Sequence, residues 1–224
     1  LEAIVKKAVA ETPLKYPNWK SDYNAVLDKY LGKSDSVKPN VAKDYGINLD
    51  DYVTITSFNH APFYSKFILN ISDNFSNESF YNVTLDEFIQ NIDNALDKGF
   101  TLALDSDVSE ETFSTKNGIA VIPENSSDME TILTEIKPEK QITQEYRQAE
   151  FENYNTVDDH LMHIVGKVKD QKGNIYYKVK NSWGTNSGKD GFMYMSVPFI
   201  KLKAISVMLH KDGLTKETRR ALNI

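Results

Sequence analysis

Apolar positions recur at two spacings along the 224-residue chain, and the change from one spacing to the other predicts its elements. Trp19 to Leu31 sets Tyr23, Val26, Leu27, Tyr30 and Leu31 at helical intervals and stops at Gly32, which predicts a helix. The residues before it read as an earlier helical piece, broken by Pro13 and Pro17. Gly32 to Asn40 is polar and predicts a surface loop or a boundary. Asp51 to Ser57 alternates and is rich in β-branched residues, the pattern of a strand. Residues 60–83 mix aromatics with Asn and Ser and predict an ordered but irregular excursion. Thr84-Leu85-Asp86-Glu87 has the wording of a capping box, in which the threonine hydroxyl and the glutamate each satisfy an orphan backbone N–H. Leu85, Phe88, Ile89, Ile92 and Leu96 then form one apolar face, and Gly99 closes that helix.

Strands follow at Phe100 to Leu104 and Gly118 to Ile122, then two polar helices between about residues 127 and 154, the second from Thr143 to Tyr154. From residue 160 the period changes to two. His160 to Val168 and Ile175 to Val179 flank Asp170-Gln171-Lys172-Gly173-Asn174, a turn-rich connection that predicts a hairpin. Phe192 to Met195 is a short strand, Pro198 begins a short helix after Ser196, Ala204 to Leu209 is a further strand, and Leu214 to Leu222 is a final helix. No internal repeat or low-complexity tract interrupts the series.

Composition narrows the classes. With 40% hydrophobic and 26% charged residues the chain is an ordinary globular sequence, long enough for one sizeable core. The net charge of −6, with both signs interspersed, argues against a nucleic-acid surface, which needs a basic stripe. No apolar run approaches the roughly 20 residues of a membrane-spanning helix, so no membrane partner is expected. The first residues, Leu1-Glu2-Ala3-Ile4-Val5-Lys6-Lys7, read as the middle of a helix and predict a fragment or processed product. There is no cysteine, which excludes disulfides, thiolate metal sites and a thiol nucleophile within these residues. No metal-ligand cluster or phosphate-cradling glycine loop is present, and no cofactor is expected.

One constellation carries chemistry. His160 heads the first strand of the predicted hairpin and Asn181 ends the second, which brings the two together across the ladder. An asparagine oxygen can accept from one ring N–H while the other nitrogen faces a nucleophile. A lone histidine at a strand head is more often a packing or surface residue, and an Asn before Ser more often a turn residue. His163 points to the opposite strand face from His160, and His60, His163 and His210 are read as packed or solvent-facing. The N-x-[ST] triplets at Asn70, Asn74, Asn77, Asn82 and Asn125 are read as coincidence in an Asn- and Ser-rich chain.

The wording around Asn181 weights the reading. Asn181-Ser182-Trp183-Gly184, then Gly188-Lys189-Asp190-Gly191-Phe192, with Asp159-His160 and a strand-turn-strand upstream, resembles the papain-like cysteine peptidases. Within them the chain is most similar to the bleomycin hydrolase and aminopeptidase C branch, in its Bacteroides-like bacterial form. Asp93 to Gly99, Ser106 to Glu110, Asn117 to Val121 and Ile142 to Gln148 support the resemblance, which is strongest from about residue 48 to residue 214.

The resemblance implies an α+β papain-like fold, of which this chain holds the sheet-rich His/Asn half with a helical insertion. Residues 1–50 are then a mostly helical insertion region and residues 51–224 the catalytic-domain portion. His160 is implied as general base, Asn181 as its orienter, Trp183 as an indole lid over that pair, and Asp159 as a wall of the substrate cleft. The implied activity is hydrolysis of peptide substrates by a Cys–His–Asn mechanism, removing N-terminal residues. The family's Q-x-x-x-x-x-C-W segment is missing, so the nucleophile is expected on a preceding segment or a separate chain, and this chain alone is expected to be inactive. In that branch the C-terminus lies in the cleft; the tail here, Lys211 to Ile224, is shorter than in the eukaryotic members. The branch also admits a homo-oligomer, and leaves the compartment open between bacterial cytoplasm and periplasm. The rival reading is a non-catalytic binding or scaffold protein derived from a peptidase.

Overall fold

The computed structural model describes residues 19–31, 45–71 and 74–224. The chain divides into two compact units, Leu1–Leu49 and Asp50–Ile224. In the first unit the helical spacing gives α1 (Trp19–Leu31), with Asp22 in its first turn and Lys29 in its last, each complementing the helix dipole. The earlier helical piece and the polar stretch from Gly32 lie outside the described residues.

The second unit is built on one mixed sheet. Its strands are β1 (Tyr52–Thr56), β2 (Lys66–Ile68), β3 (Ser79–Asn82), β4 (Leu102–Ser106), β5 (Phe113–Ser114), β6 (Ile119–Ala120), β7 (His160–Lys169), β8 (Ile175–Lys180), β9 (Phe192–Ser196) and β10 (Ala204–His210). They lie in the order β2-β3-β1-β10-β4-β7-β8-β9-β6-β5. Pairing is antiparallel except for β1 with β3 and β6 with β9. The centre of the sheet, β10-β4-β7-β8, therefore joins segments far apart in sequence, and every neighbour of β7 is antiparallel to it.

Helix α2 (Leu85–Asp97) covers this centre. The expected capping box is present: Thr84 Oγ1 accepts from Glu87 N while the Glu87 carboxylate accepts from Thr84 N. Gly99, with φ +84°, turns the chain out of the helix into β4. The buried face of α2, with Phe88, Ile92 and Ala95 at its middle, packs with Leu102, Leu104, Ile164, Val179, Val207 and Leu209 in one core. Burying a side chain such as Phe88 is worth about 1.5–3 kcal/mol.

Two polar predictions come out differently. Residues 126–133 form no α-helix: Ser126–Asp128 and Thr131–Leu133 are separate 3₁₀ turns. Ile132 is buried there, in one cluster with Val121 and Tyr176, and Leu133 packs against it. The second polar helix does form, as α3 (Gln144–Glu152) capped by Thr143 Oγ1, but its polar face is turned inward. Arg147 is buried and spends its donors on carbonyls: Nε to Ser57 O at 2.8 Å, Nη1 to Lys201 O at 2.9 Å, Nη2 to Ile205 O at 3.4 Å. Its guanidinium lies 4.6 Å from the Phe58 ring centroid, and burial lowers its pKa to about 9.

The excursion at 60–83 contains β2 and β3, and the expected strand at 100–104 begins two residues later, at Leu102. Asn82, one of the N-x-[ST] residues, is fully buried; its amide donates to Phe58 O and accepts from Phe58 N. After β9, α4 (Val197–Lys203) opens with Ser196 as N-cap and Pro198 in its first turn, as expected. The last element, α5 (Lys216–Leu222), is pinned to α2 through Asn91, which bonds Thr215 N and Thr218 Oγ1.

Replacing Arg147 by Met removes donors from at least two buried carbonyls while keeping most of the side-chain volume. The expected cost is about 3 kcal/mol, read as a fall in unfolding free energy by urea denaturation.

Candidate active site

His160 opens β7, where the ladder to β4 ends with the pair Ser106↔His160. On the other side β8 pairs with β7 up to His163↔Lys180. One further step along that register sets Asn181 opposite Met162, diagonal to His160 on the same sheet face, within reach of two polar side chains. The structure brings them together: His160 Nε2 and Asn181 Oδ1 are 2.8 Å apart.

The roles of these atoms follow from a third group. Asn181 Oδ1 also accepts from the backbone N–H of Ser182 at 2.7 Å. A flipped amide would set NH₂ against that N–H, donor against donor, so the oxygen is the atom that faces both. Oδ1 cannot donate, hence Nε2 carries the hydrogen and the neutral ring keeps its lone pair on Nδ1. Nδ1 is then the basic nitrogen. Asn181 is buried, and its Nδ2 meets no protein acceptor. The amide orientation therefore rests on Oδ1.

The turn after Asn181 is shaped by glycine. Asn181 N donates to Gly191 O at 2.9 Å and Gly188 N to Thr115 O at 3.0 Å. Gly188 has φ +66°, and a Cβ there would lie 2.3 Å from Phe192 O. This close return carries Trp183 over the histidine, ring centroids 4.7 Å apart at 31°. Phe113 meets the indole edge-on at 6.0 Å and is itself packed on Phe199 of α4. Trp183 remains 47% exposed, so it shields one side of the pair and leaves an outer edge to solvent.

Asp159 is held from the loop after β4: Val108 N donates to its Oδ1 at 3.0 Å. Burial first, then repulsion from Asp107 and Asp158, raise its pKa above the usual 3.8, with Val108 N and His160 pulling the other way. A cavity of about 570 Å³ opens beside the same lead-in segment, lined by Thr156, Val157, Asp158, Phe151 and His60.

The other histidines stand apart from the pair. His163 bonds Thr101 Oγ1 at 2.8 Å on the exposed face. His60 meets Gln148 through Nδ1 among Phe58, Phe67 and Phe151. His210 stacks on Phe100. Among the described residues there is no metal-ligating group of three His, Cys, Asp or Glu, and no helix long and apolar enough to cross a membrane. The tail leaves the sheet at the His210 end of β10, the end away from Ala204, Ser106 and His160, and Ile224 packs against the main core. The loop 107–110, which steadies Asp159, carried no functional reading in the sequence; its only signal was wording shared with a family.

The model of the peptidase C1-like family matches residues 6–224. The chain belongs to that family. Its fold is accordingly the α+β papain-like cysteine peptidase fold. It is 43% identical over 65 residues to the aminopeptidase G of Lactobacillus delbrueckii subsp. lactis, a stretch that is 29% of this chain and 15% of that protein. It is similar in fold to the crystal structure of PepW from Lactobacillus rhamnosis HN001, with a TM-score of 0.64 and 19% identity. That likeness covers 99% of this chain and 55% of PepW, so the chain spans only part of the length of both proteins.

The raised pKa of Asp159 has a sign that can be measured. Its contribution to stability is full below the unfolded pKa near 3.8 and is lost as pH rises through the higher folded value. Asp159→Asn keeps the Oδ1 acceptor for Val108 and does not ionise. Its melting temperature is expected to rise relative to the parent between about pH 3 and about pH 7; a constant difference in calorimetry across that range would contradict the assignment.

Proposed function

We propose that this chain carries the histidine–asparagine half of a cysteine peptidase site, with His160 as base, Asn181 as orienter and Trp183 as the indole that shields them. The observation that carries the reading is the chain of contacts Ser182 N–H to Asn181 Oδ1 to His160 Nε2. It supports Nδ1 as the free basic nitrogen, and general-base activation of a nucleophile needs such a nitrogen in fixed orientation. With no cysteine in 224 residues, the thiol comes from polypeptide outside this sequence.

In the complete site the thiol gives its proton to His160 Nδ1, and the thiolate adds to the carbonyl carbon of the scissile peptide. As the tetrahedral adduct collapses, the C–N bond breaks and the proton on Nδ1 passes to the departing amine. The thioester then accepts water, whose proton His160 takes, and a second collapse returns the thiol and releases the acid. Each step uses Nδ1, so Nε2 must stay engaged by Asn181 throughout. Membership of the peptidase C1-like family, and the aminopeptidase name of one relative, support peptides as substrates and removal of N-terminal residues as the direction of cleavage. Asp159 and the cavity beside Asp158 are assigned to the wall of the substrate cleft.

The test uses aminoacyl fluorogenic substrates and two proteins. The 224-residue chain alone is expected to show no turnover, and the longer protein that supplies a cysteine to be active. In the latter, His160→Ala is expected to lower kcat by about 10²-fold or more, and Asn181→Ala by about 10²-fold with KM little changed. Thiol-type turnover by the 224-residue chain unassisted would overturn the assignment. Inactivity of the longer protein would favour the non-catalytic alternative.

A further inference from the structure

Lys203, the last residue of α4, is a lysine with no exposed surface, far from any role the sequence suggests. Its ammonium has three hydrogens and three acceptors. Nζ donates to Asn155 O at 2.6 Å and lies 2.5 Å from Glu110 Oε1 and 3.3 Å from Asp107 Oδ2. Asp107, also fully buried, is equally committed: Oδ1 accepts from Ser109 N and Ser109 Oγ, and Oδ2 accepts from Val157 N at 3.1 Å as well as from Lys203. The backbone repeats the connection, since Asp107 N and Ser106 Oγ both donate to Lys203 O.

These bonds converge on two irregular segments. One is the loop 107–110 after β4; the other is 155–159, which leads into His160. Neither is part of a strand or helix, so neither has a ladder of its own to hold it. The loop reaches the histidine's neighbour through Val108 N and Asp159 Oδ1. One cation thus ties the end of α4, the loop and the lead-in at the point where β7 begins. A buried ion pair of this kind is not a strong source of stability, because desolvation offsets most of the attraction; fixing one geometry is the use such groups serve best.

We propose that Lys203 is a positioning residue for His160: through Asp107, Glu110 and Asn155 O it sets where β7 starts and so how the imidazole meets Asn181. The importance of that alignment rests on the peptidase reading above; the alignment itself does not.

The test is nitrogen NMR of the imidazole in the 224-residue chain, with amide exchange. In Lys203→Met, exchange of the His160 Nε2–H with solvent is expected to accelerate at least about tenfold, and the ring signals to move from one tautomer towards a mixture. The Val108 and Val157 amides should lose protection by a similar factor, while the hairpin amides of Ile164 and Val179 keep theirs. If the single variant does not fold, Lys203→Met with Asp107→Asn and Glu110→Gln, which leaves no buried charge in the cluster, is judged by the same signals. Unchanged His160 ring signals in the folded variant, accompanied only by a lower melting temperature, would overturn the proposal. None of these readings depends on turnover, so an inactive complete protein would sink the peptidase reading and leave this one standing.

Discussion

The backbone N–H of Ser182 decides more about this molecule than any charged group in it. By donating to Asn181 Oδ1 it settles which end of the amide faces His160, and through that which ring nitrogen bears hydrogen. An asparagine without such a tether can rotate, and a histidine beside it can exchange tautomers at little cost. Here the orientation is anchored in main chain. The main chain is in turn anchored by the bond from Asn181 N to Gly191 O and by a turn that passes within contact of Phe192 at Gly188.

The surrounding fold supplies rigidity from both sides of β7. The sheet contributes ladders to β4 and β8, and α2 closes the core beneath them. At the end where the ladders stop, polar side chains take over the work of holding irregular backbone. Arg147 joins Ser57, Lys201 and Ile205 by their carbonyls, Asn82 holds the turn at Phe58, and Lys203 gathers the segments around the histidine. The interior is thus divided in kind: apolar packing under the strands, hydrogen-bond networks under the loops.

That division explains what could be read in advance. The hairpin of β7 and β8, the capped helix α2 and the short helix after Ser196 follow from periodicity and capping residues, which are local. The meeting of His160 with Asn181 followed from the hairpin. The inward face of α3 did not, because Arg147 is satisfied by carbonyls that lie 54 to 90 positions away in sequence. Lys203 escaped for the same reason: nothing near it in sequence says that Asn155 O and Glu110 will be its neighbours. Residues 126–133 differ from the expected helix in another way, forming two separate 3₁₀ turns that dock Ile132 and Leu133 on the cluster with Val121 and Tyr176. Tautomer choice at His160 was beyond reach as well, being set by one amide hydrogen.

The indole lying on His160 has an optical consequence. The chain holds only two tryptophans, Trp19 and Trp183, so replacing Trp19 by Phe leaves Trp183 as the sole indole. An imidazolium accepts an electron from an excited indole far more readily than a neutral imidazole does, and these rings are 4.7 Å apart. Trp183 emission in such a variant therefore reports the charge on His160 directly. The molecule carries its own fluorescent indicator, readable in ordinary buffers with no label attached.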